Sequence, residues 1–279
     1  MKLHALAKLP APARLLLTLG LVVGLWLPLG LPILTWVTDP DWQSILGLGL
    51  AYGLFMVVLR TWGTIVGQRS LPLEHYGLVL KTLPNPWLEG WGKGITVVLG
   101  LYILQGILGW VTWAGPESNL GRIALEGFGV ALGIGFAEEL CFRGWLLSEL
   151  QQDYGYPTAA IVSSSLFAIL HFLKPWREIL RTLPQFPGLL LLGLILAHAQ
   201  RKHLGHAMGI HSGLVWGYYV LKVGNLVAQK ENLSPWITGV EGNPLAGLLG
   251  LGVLTLWLVL SQKPTPHSKA QSKRDKVQD

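Results

Sequence analysis

The chain has 279 residues, 51% of them hydrophobic and 13% charged, with a mean hydropathy of +0.46 and a formal charge of +6. Soluble domains carry about 25% charged residues, so the composition excludes a soluble globular domain and points to a polytopic integral membrane protein. The basic excess sits at the ends and in loops, where it reads as topology and lipid-surface charge; no nucleic acid is expected as a partner.

Hydropathy predicts an all-α transmembrane helical bundle of about eight spans, near 15–37, 44–66, 95–114, 123–147, 158–173, 183–199, 205–221 and 245–261. Each is close to the roughly 20 residues that a bilayer core requires. Lys2, Lys8 and Arg14 precede the first run. That run is too long for a signal-peptide core and no A-x-A site follows it, so it is expected to be retained. Trp36 and Trp42 bracket the first turn, Trp110 and Trp113 close the third span, and Trp176 follows the fifth, the pattern of an aromatic belt. The segment 67–93, with three prolines, is expected to form an interfacial helix and then a loop. His198 and His203 flank Arg201 and Lys202 and are expected in a solvent-exposed loop. The polar, basic tail 262–279 should be disordered.

An even number of spans puts both termini on one side. Fourteen Lys and Arg fall on that side and six on the other, which predicts cytoplasmic termini. The segment KPWREILR at 174–181 is basic on the wrong side. Either it is special or the span count is off by one.

The fourth span carries the chemistry: FGVALGIGFAEELCFRGWLL holds Glu138, Glu139 and Arg143. A charge at the bilayer centre costs several kcal/mol by roughly any scale, so an intramembrane carboxylate defaults to a functional hypothesis. On a helix Glu139 and Arg143 share a face and can pair. Glu138 lies about 100° away and has Phe142 at i+4, so it is the freer carboxylate and the better general base. Gly127, Gly129, Ala131, Gly133, Gly135 and Ala137 precede the pair and allow neighbouring helices to approach closely. The fifth span brings Phe167 and His171, four apart on one face, and the seventh brings His206 and the deeper His211. Histidine near glutamate can ligate a metal or share the proton of a water. Taken singly, each signal also has a structural reading: a helix ion pair, interhelical hydrogen bonds, glycine packing. Cys141 beside the glutamates reads as a packing residue, with a nucleophile as the minority alternative. Order and combination favour a site.

In that order the residues resemble the membrane-embedded CPBP family, named for CAAX proteases and bacteriocin-processing enzymes and also called Abi. The family's EExxxR is EELCFR at 138–143, its FxxxH is FAILH at 167–171, and its third histidine motif is HSGLV at 211–215. The first two match in full. In the third, Val215 stands where the family often has Asn or Asp, a departure that weighs against proteolysis and not against the fold.

The resemblance implies four parts: N-terminal helices and interfacial segment at 1–119, a CAAX-protease-like core of three to four helices at 120–221, a last span within 222–261, and the tail. It also implies a membrane-embedded hydrolase, an intramembrane endopeptidase. Glu138 would activate water with help from His171. His211 would polarise the carbonyl or hold the oxyanion, Glu139 with Arg143 would brace the site, and Phe167 and Ser212 would support it. Some relatives are described as metalloproteases, so zinc or another divalent metal is a cofactor to consider, with His171, His211 and Glu138 as ligands. Glu138 could not easily serve as both ligand and base. The partners implied are the lipid bilayer and a peptide or membrane-protein substrate, prenylated in the family's eukaryotic enzymes. Two other functions fit the residues: a non-proteolytic scaffold or chaperone on the same fold, which Val215 would suit, and a proton-relaying transporter, against which no repeated halves are evident.

Overall fold

A computed structural model describes residues 3–116, 118–230 and 233–262. Beyond Gln262 the tail expected to be disordered lies outside the described residues. The chain forms α1 (Ala11–Trp36), α2 (Pro40–Ile65), a single turn α3 (Pro72–His75), α4 (Pro84–Ile107), α5 (Leu120–Glu139), a π-helical turn (Leu140–Leu146), α6 (Leu147–Gln151), α7 (Tyr156–Leu170), α8 (Trp176–Thr182), α9 (Phe186–Gln200), α10 (Leu204–Val223), α11 (Pro235–Thr238) and α12 (Leu248–Ser261). A two-stranded antiparallel ribbon, β1 (Val111–Trp113) with β2 (Val227–Gln229), is the one sheet among the described residues.

Four stretches are long and apolar enough to cross a membrane: α1, α2, the continuous rod 120–151, and 176–200. The shorter α7 and α12 are apolar as well. The protein is an all-α integral membrane protein.

Two boundaries differ from the sequence expectation. The third span was expected at 95–114, but α4 begins at Pro84 and ends at Ile107, and β1 occupies 111–113. Pro84 and Pro86 start the helix instead of breaking it, because a proline in the first turn gives up no intrahelical bond. The expected interfacial helix within 67–93 is therefore only the turn α3. His198 and His203 are not exposed loop residues. His198 is half-buried on α9, and His203 caps α10: its Nδ1 accepts from Gly205 N (2.9 Å) and its Nε2 meets Thr82 Oγ1 (2.9 Å). Histidine between two basic residues looks exposed in sequence, but a capping acceptor satisfies an otherwise orphaned backbone donor.

The tightest helix contact is one the sequence did not single out. Gly90 and Gly94 of α4 interlock with Gly209 and Gly213 of α10; a Cβ on any of them would run into the other helix's backbone. Without a hydrophobic drive between helices in lipid, such close approach supplies van der Waals contact. Of the small residues of α5, Gly127 meets the Tyr219 ring and Gly135 meets Ser212, both on α10, and Ala131 between them is buried. Gly129 and Gly133 face open space, contrary to the expectation that the whole series serves close packing.

Arg14 is not a free topogenic charge. It is 3% exposed, and its Nε donates to Glu149 Oε2 (2.8 Å), its Nη2 to Glu149 O (2.7 Å). Asp153 and the carbonyl of Leu9 complete its shell. Tyr76 donates from its hydroxyl to Glu149 Oε1 (2.8 Å) and Gln152 Nε2 to Oε2 (2.9 Å). This buried network ties α1 and the α3 turn to α6.

Burial, and then the neighbouring Glu149 charge, push the Tyr76 phenol well above its usual value. Tyr76→Phe is expected to cost about 1.5–3 kcal/mol, the worth of a hydrogen bond to a charged group. The unfolded phenol titrates near ~10. Below that pH the wild-type advantage is complete, and above it the advantage declines because only the unfolded tyrosine ionises. Unfolding of both proteins in detergent from pH 7 to 11 checks this; a difference independent of pH, or none at all, contradicts it.

Candidate active site

Glu138 and Glu139 are the last residues of α5, and the π turn that follows contains Arg143. A π turn leaves backbone groups out of the ordinary helical ladder. One of them is answered here: Ser163 of α7 donates its hydroxyl to the carbonyl of Phe142 (2.8 Å). α7 has only 15 residues. At 1.5 Å per residue it is about 22 Å long, short of the ~30 Å hydrocarbon core. His171 caps its C-terminal end and is half-buried.

The two adjacent glutamates have opposite surroundings. Glu139 is fully buried. Its Oε1 accepts from Arg143 Nη1 (3.0 Å) and faces His211 Nδ1 (2.8 Å). Arg143, also fully buried, donates through Nη2 to the carbonyl of Gly193 on α9 (3.3 Å) and lies over the Phe167 ring at 4.2 Å. Glu139, Arg143 and His211 thus form one braced group spanning α5, the π turn, α9 and α10. Phe167 is its hub: its ring centroid is 4.6 Å from that of His171, 6.0 Å from His211 and 5.3 Å from Phe142.

Glu138 is different. Its side chain is 31% exposed and makes no hydrogen bond to protein, and its Oε2 lies 4.0 Å from His171 Nε2. His171 Nδ1 sits 2.7 Å from the carbonyl of Phe167. A carbonyl only accepts, so Nδ1 carries the proton, and the neutral ring presents a bare Nε2 towards Glu138. Two acceptors face each other across a gap too wide for a direct hydrogen bond. Glu138 also borders an apolar groove of about 490 Å³ between α2 and α5, lined by Leu48, Tyr52, Phe55, Ile134 and the half-buried Cys141.

The sequence-expected residues therefore converge, with distinctions. Glu138 and His171 make one pair; Glu139, Arg143 and His211 make the other; Phe167 separates them. Ser212 is buried, packs on Gly135 one turn before Glu139, and bonds neither glutamate. Val215 is half-buried on α10, one turn beyond His211. His206 is outside the site, near Lys93 Nζ (3.4 Å) and Glu89.

The donor set was tested against a catalytic metal, which takes three protein ligands. Among the described residues no three His, Cys, Asp or Glu side chains are grouped to hold an ion. The arrangement does not fit the ligand set His171, His211 and Glu138, and no step below uses a metal. Sequence reasoning missed Ser163 and Gly193. The serine run 163–165 in an apolar span was the available signal, since a buried hydroxyl needs a partner; a backbone carbonyl such as that of Gly193 leaves none.

Residues 120–229 match the model of the Rce1-like family, described as type II CAAX prenyl endopeptidase. This segment is similar to that family. The Rce1-like segment contains every residue of both pairs, from Glu138 to His211, together with Ser163 and Gly193. No curated protein and no solved structure matches the chain.

Proposed function

We propose that the protein is an intramembrane endopeptidase of the CAAX prenyl protease type, in which Glu138 and His171 activate a water. The observation that carries this reading is the divided glutamate pair: Glu139 Oε1 is held by both Arg143 and His211, while Glu138 makes no hydrogen bond to protein and its Oε2 lies 4.0 Å from a bare histidine nitrogen. A water between Glu138 and His171 donates one hydrogen to each and turns a lone pair to the substrate. Its oxygen attacks the scissile carbonyl carbon as Glu138 takes the proton. His211, with Nδ1 donating to Glu139, has Nε2 left to donate to the carbonyl oxygen. In the protonated form, its charge and that of Arg143 outweigh Glu139 and oppose the developing oxyanion. The proton on Glu138 then passes to the leaving nitrogen as the C–N bond breaks, giving a carboxylic acid and an amine, and the acid's remaining proton moves to the amine to leave a carboxylate and an ammonium group.

The substrate in this reading is a peptide or membrane-protein segment. The apolar groove beside Glu138 supports an apolar chain next to the scissile bond, prenylated as the family description indicates. In this reading the eight longer helices form the membrane bundle, the shorter α7 and α12 packed within it, with both termini cytoplasmic. The charge exception at 174–181 is reduced by pairing: Arg181 binds Glu178 and Glu241 on its own side.

The test compares protein N-termini in membranes of a deletion strain complemented with wild type or Glu138→Gln. N-termini present only with wild type support a Glu138-dependent protease and name its substrates. Identical N-termini, with the variant stably expressed, overturn this reading and favour a scaffold.

A further inference from the structure

A second site lies away from the glutamates, where the ends of α9 and α12 meet α4 and α10. A pocket of about 280 Å³ there has an apolar wall of Ile195, Ile210 and Leu260 and is bordered by the polar groups of Lys93, His198, Lys202, His206 and Ser261. It shares Lys93, Trp257 and Leu260 with an apolar groove of about 590 Å³ that runs between α4 and α12, lined further by Val97, Val253 and Leu256. The one acid near this pair of cavities is Glu89, 62% exposed and 2.6 Å from Lys93. Two lysines against one glutamate leave one net positive charge at the mouth of a long apolar trough, and two histidine rings add hydrogen-bonding groups, the charge and shape of a headgroup site with its chain slot. The floor is open: a Cβ on Gly92 would meet nothing within 4 Å.

We infer that this combined cavity binds an anionic phospholipid, its phosphate held by Lys93 and Lys202 with His198 and His206 beside them, and one acyl chain along α4 and α12. Charge complementarity selects the anionic headgroup: Glu89 already pairs with Lys93, and the second lysine, Lys202, leaves an excess of positive charge for the phosphate. The apolar trough selects a lipid over a free phosphate ester. Lys202 stands in the turn between α9 and α10 and α12 ends at Ser261, which places the phosphate at an interface, where juxtamembrane basic residues attract anionic lipid. The inference is independent of the peptidase reading, since none of these residues belongs to the Glu138 or Glu139 groups.

Native mass spectrometry of the full chain in neutral detergent, titrated with phosphatidylglycerol, phosphatidylcholine or glycerol 3-phosphate, tests it. Phosphatidylglycerol is expected to bind at least tenfold more tightly than phosphatidylcholine. At about fivefold per basic residue, Lys93→Gln with Lys202→Gln should weaken it roughly thirtyfold, whereas the charge-matched Arg122→Gln with Arg177→Gln should not. Gly92→Leu fills the trough. It replaces a helix glycine by a better helix former, so folding is not at risk, and it should also weaken phosphatidylglycerol at least tenfold. Equal binding of the two lipids overturns the inference. So does a lysine-dependent site that glycerol 3-phosphate fills equally well and Gly92→Leu leaves unchanged, which is a phosphate site without a lipid.

Discussion

Glu138→Gln should lower the rate of peptide cleavage by roughly 10²- to 10⁴-fold, the range general-base catalysis supplies, with little change in folding stability. The stability expectation follows from the side chain's lack of any protein hydrogen bond and its partial exposure: an amide there leaves no new charge buried. Glutamine can still hydrogen-bond a water but cannot take its proton. The loss should therefore fall on kcat rather than on KM, because substrate contacts along the groove are untouched. The measurement is single-turnover cleavage of a substrate identified from the N-terminal comparison, beside thermal unfolding of the same preparation. Full activity in Glu138→Gln, with activity lost instead in Glu139→Gln, would exchange the roles assigned to the two carboxylates.

The largest stability effect is expected from Arg143→Met. The exchange keeps the long side chain but strips the charge from a site with no solvent exposure, leaving Glu139 buried beside His211 alone. Breaking a buried ion pair from one side costs about 3–5 kcal/mol, a large part of the 5–15 kcal/mol that typically separates folded from unfolded protein. Arg143→Met with Glu139→Gln should recover part of this, since the stranded charge is gone; the two changes touch one network and will not add. Thermal unfolding of the four proteins in one detergent decides it. A single Arg143→Met variant as stable as wild type would mean that the pair is solvated in solution.

The membrane helices and the central constellation were legible because both rest on strong local signals. Twenty-residue apolar runs have few alternatives, and charges within them must converge on something polar. The i, i+4 spacing gave Glu139–Arg143, and the absence of a basic residue at the matching position left Glu138 free; in the structure Arg143 bonds Glu139 and no protein group bonds Glu138. What the sequence hid depends on distant partners. Arg14 looks like any N-terminal basic residue until Glu149 and Tyr76 are folded against it. That His211 is the second partner of Glu139 is an interhelical contact whose exact pairing no spacing rule predicts. The glycines of α4 and α10 pair across more than a hundred residues of sequence, so their mutual fit is invisible in either segment alone.

The wide turn at 140–146 sets the rotational phase of the rod that contains it. Upstream, Glu139 must point to His211; downstream, Glu149 must point to Arg14 and Tyr76. Each residue advances an α-helix by about 100°. Deleting one residue within 140–146 would swing one of these glutamates out of alignment whenever the other was kept. Between Glu139 and Glu149 the number of residues is thus fixed more tightly than their identity, because one backbone frame must satisfy two buried charge networks at once.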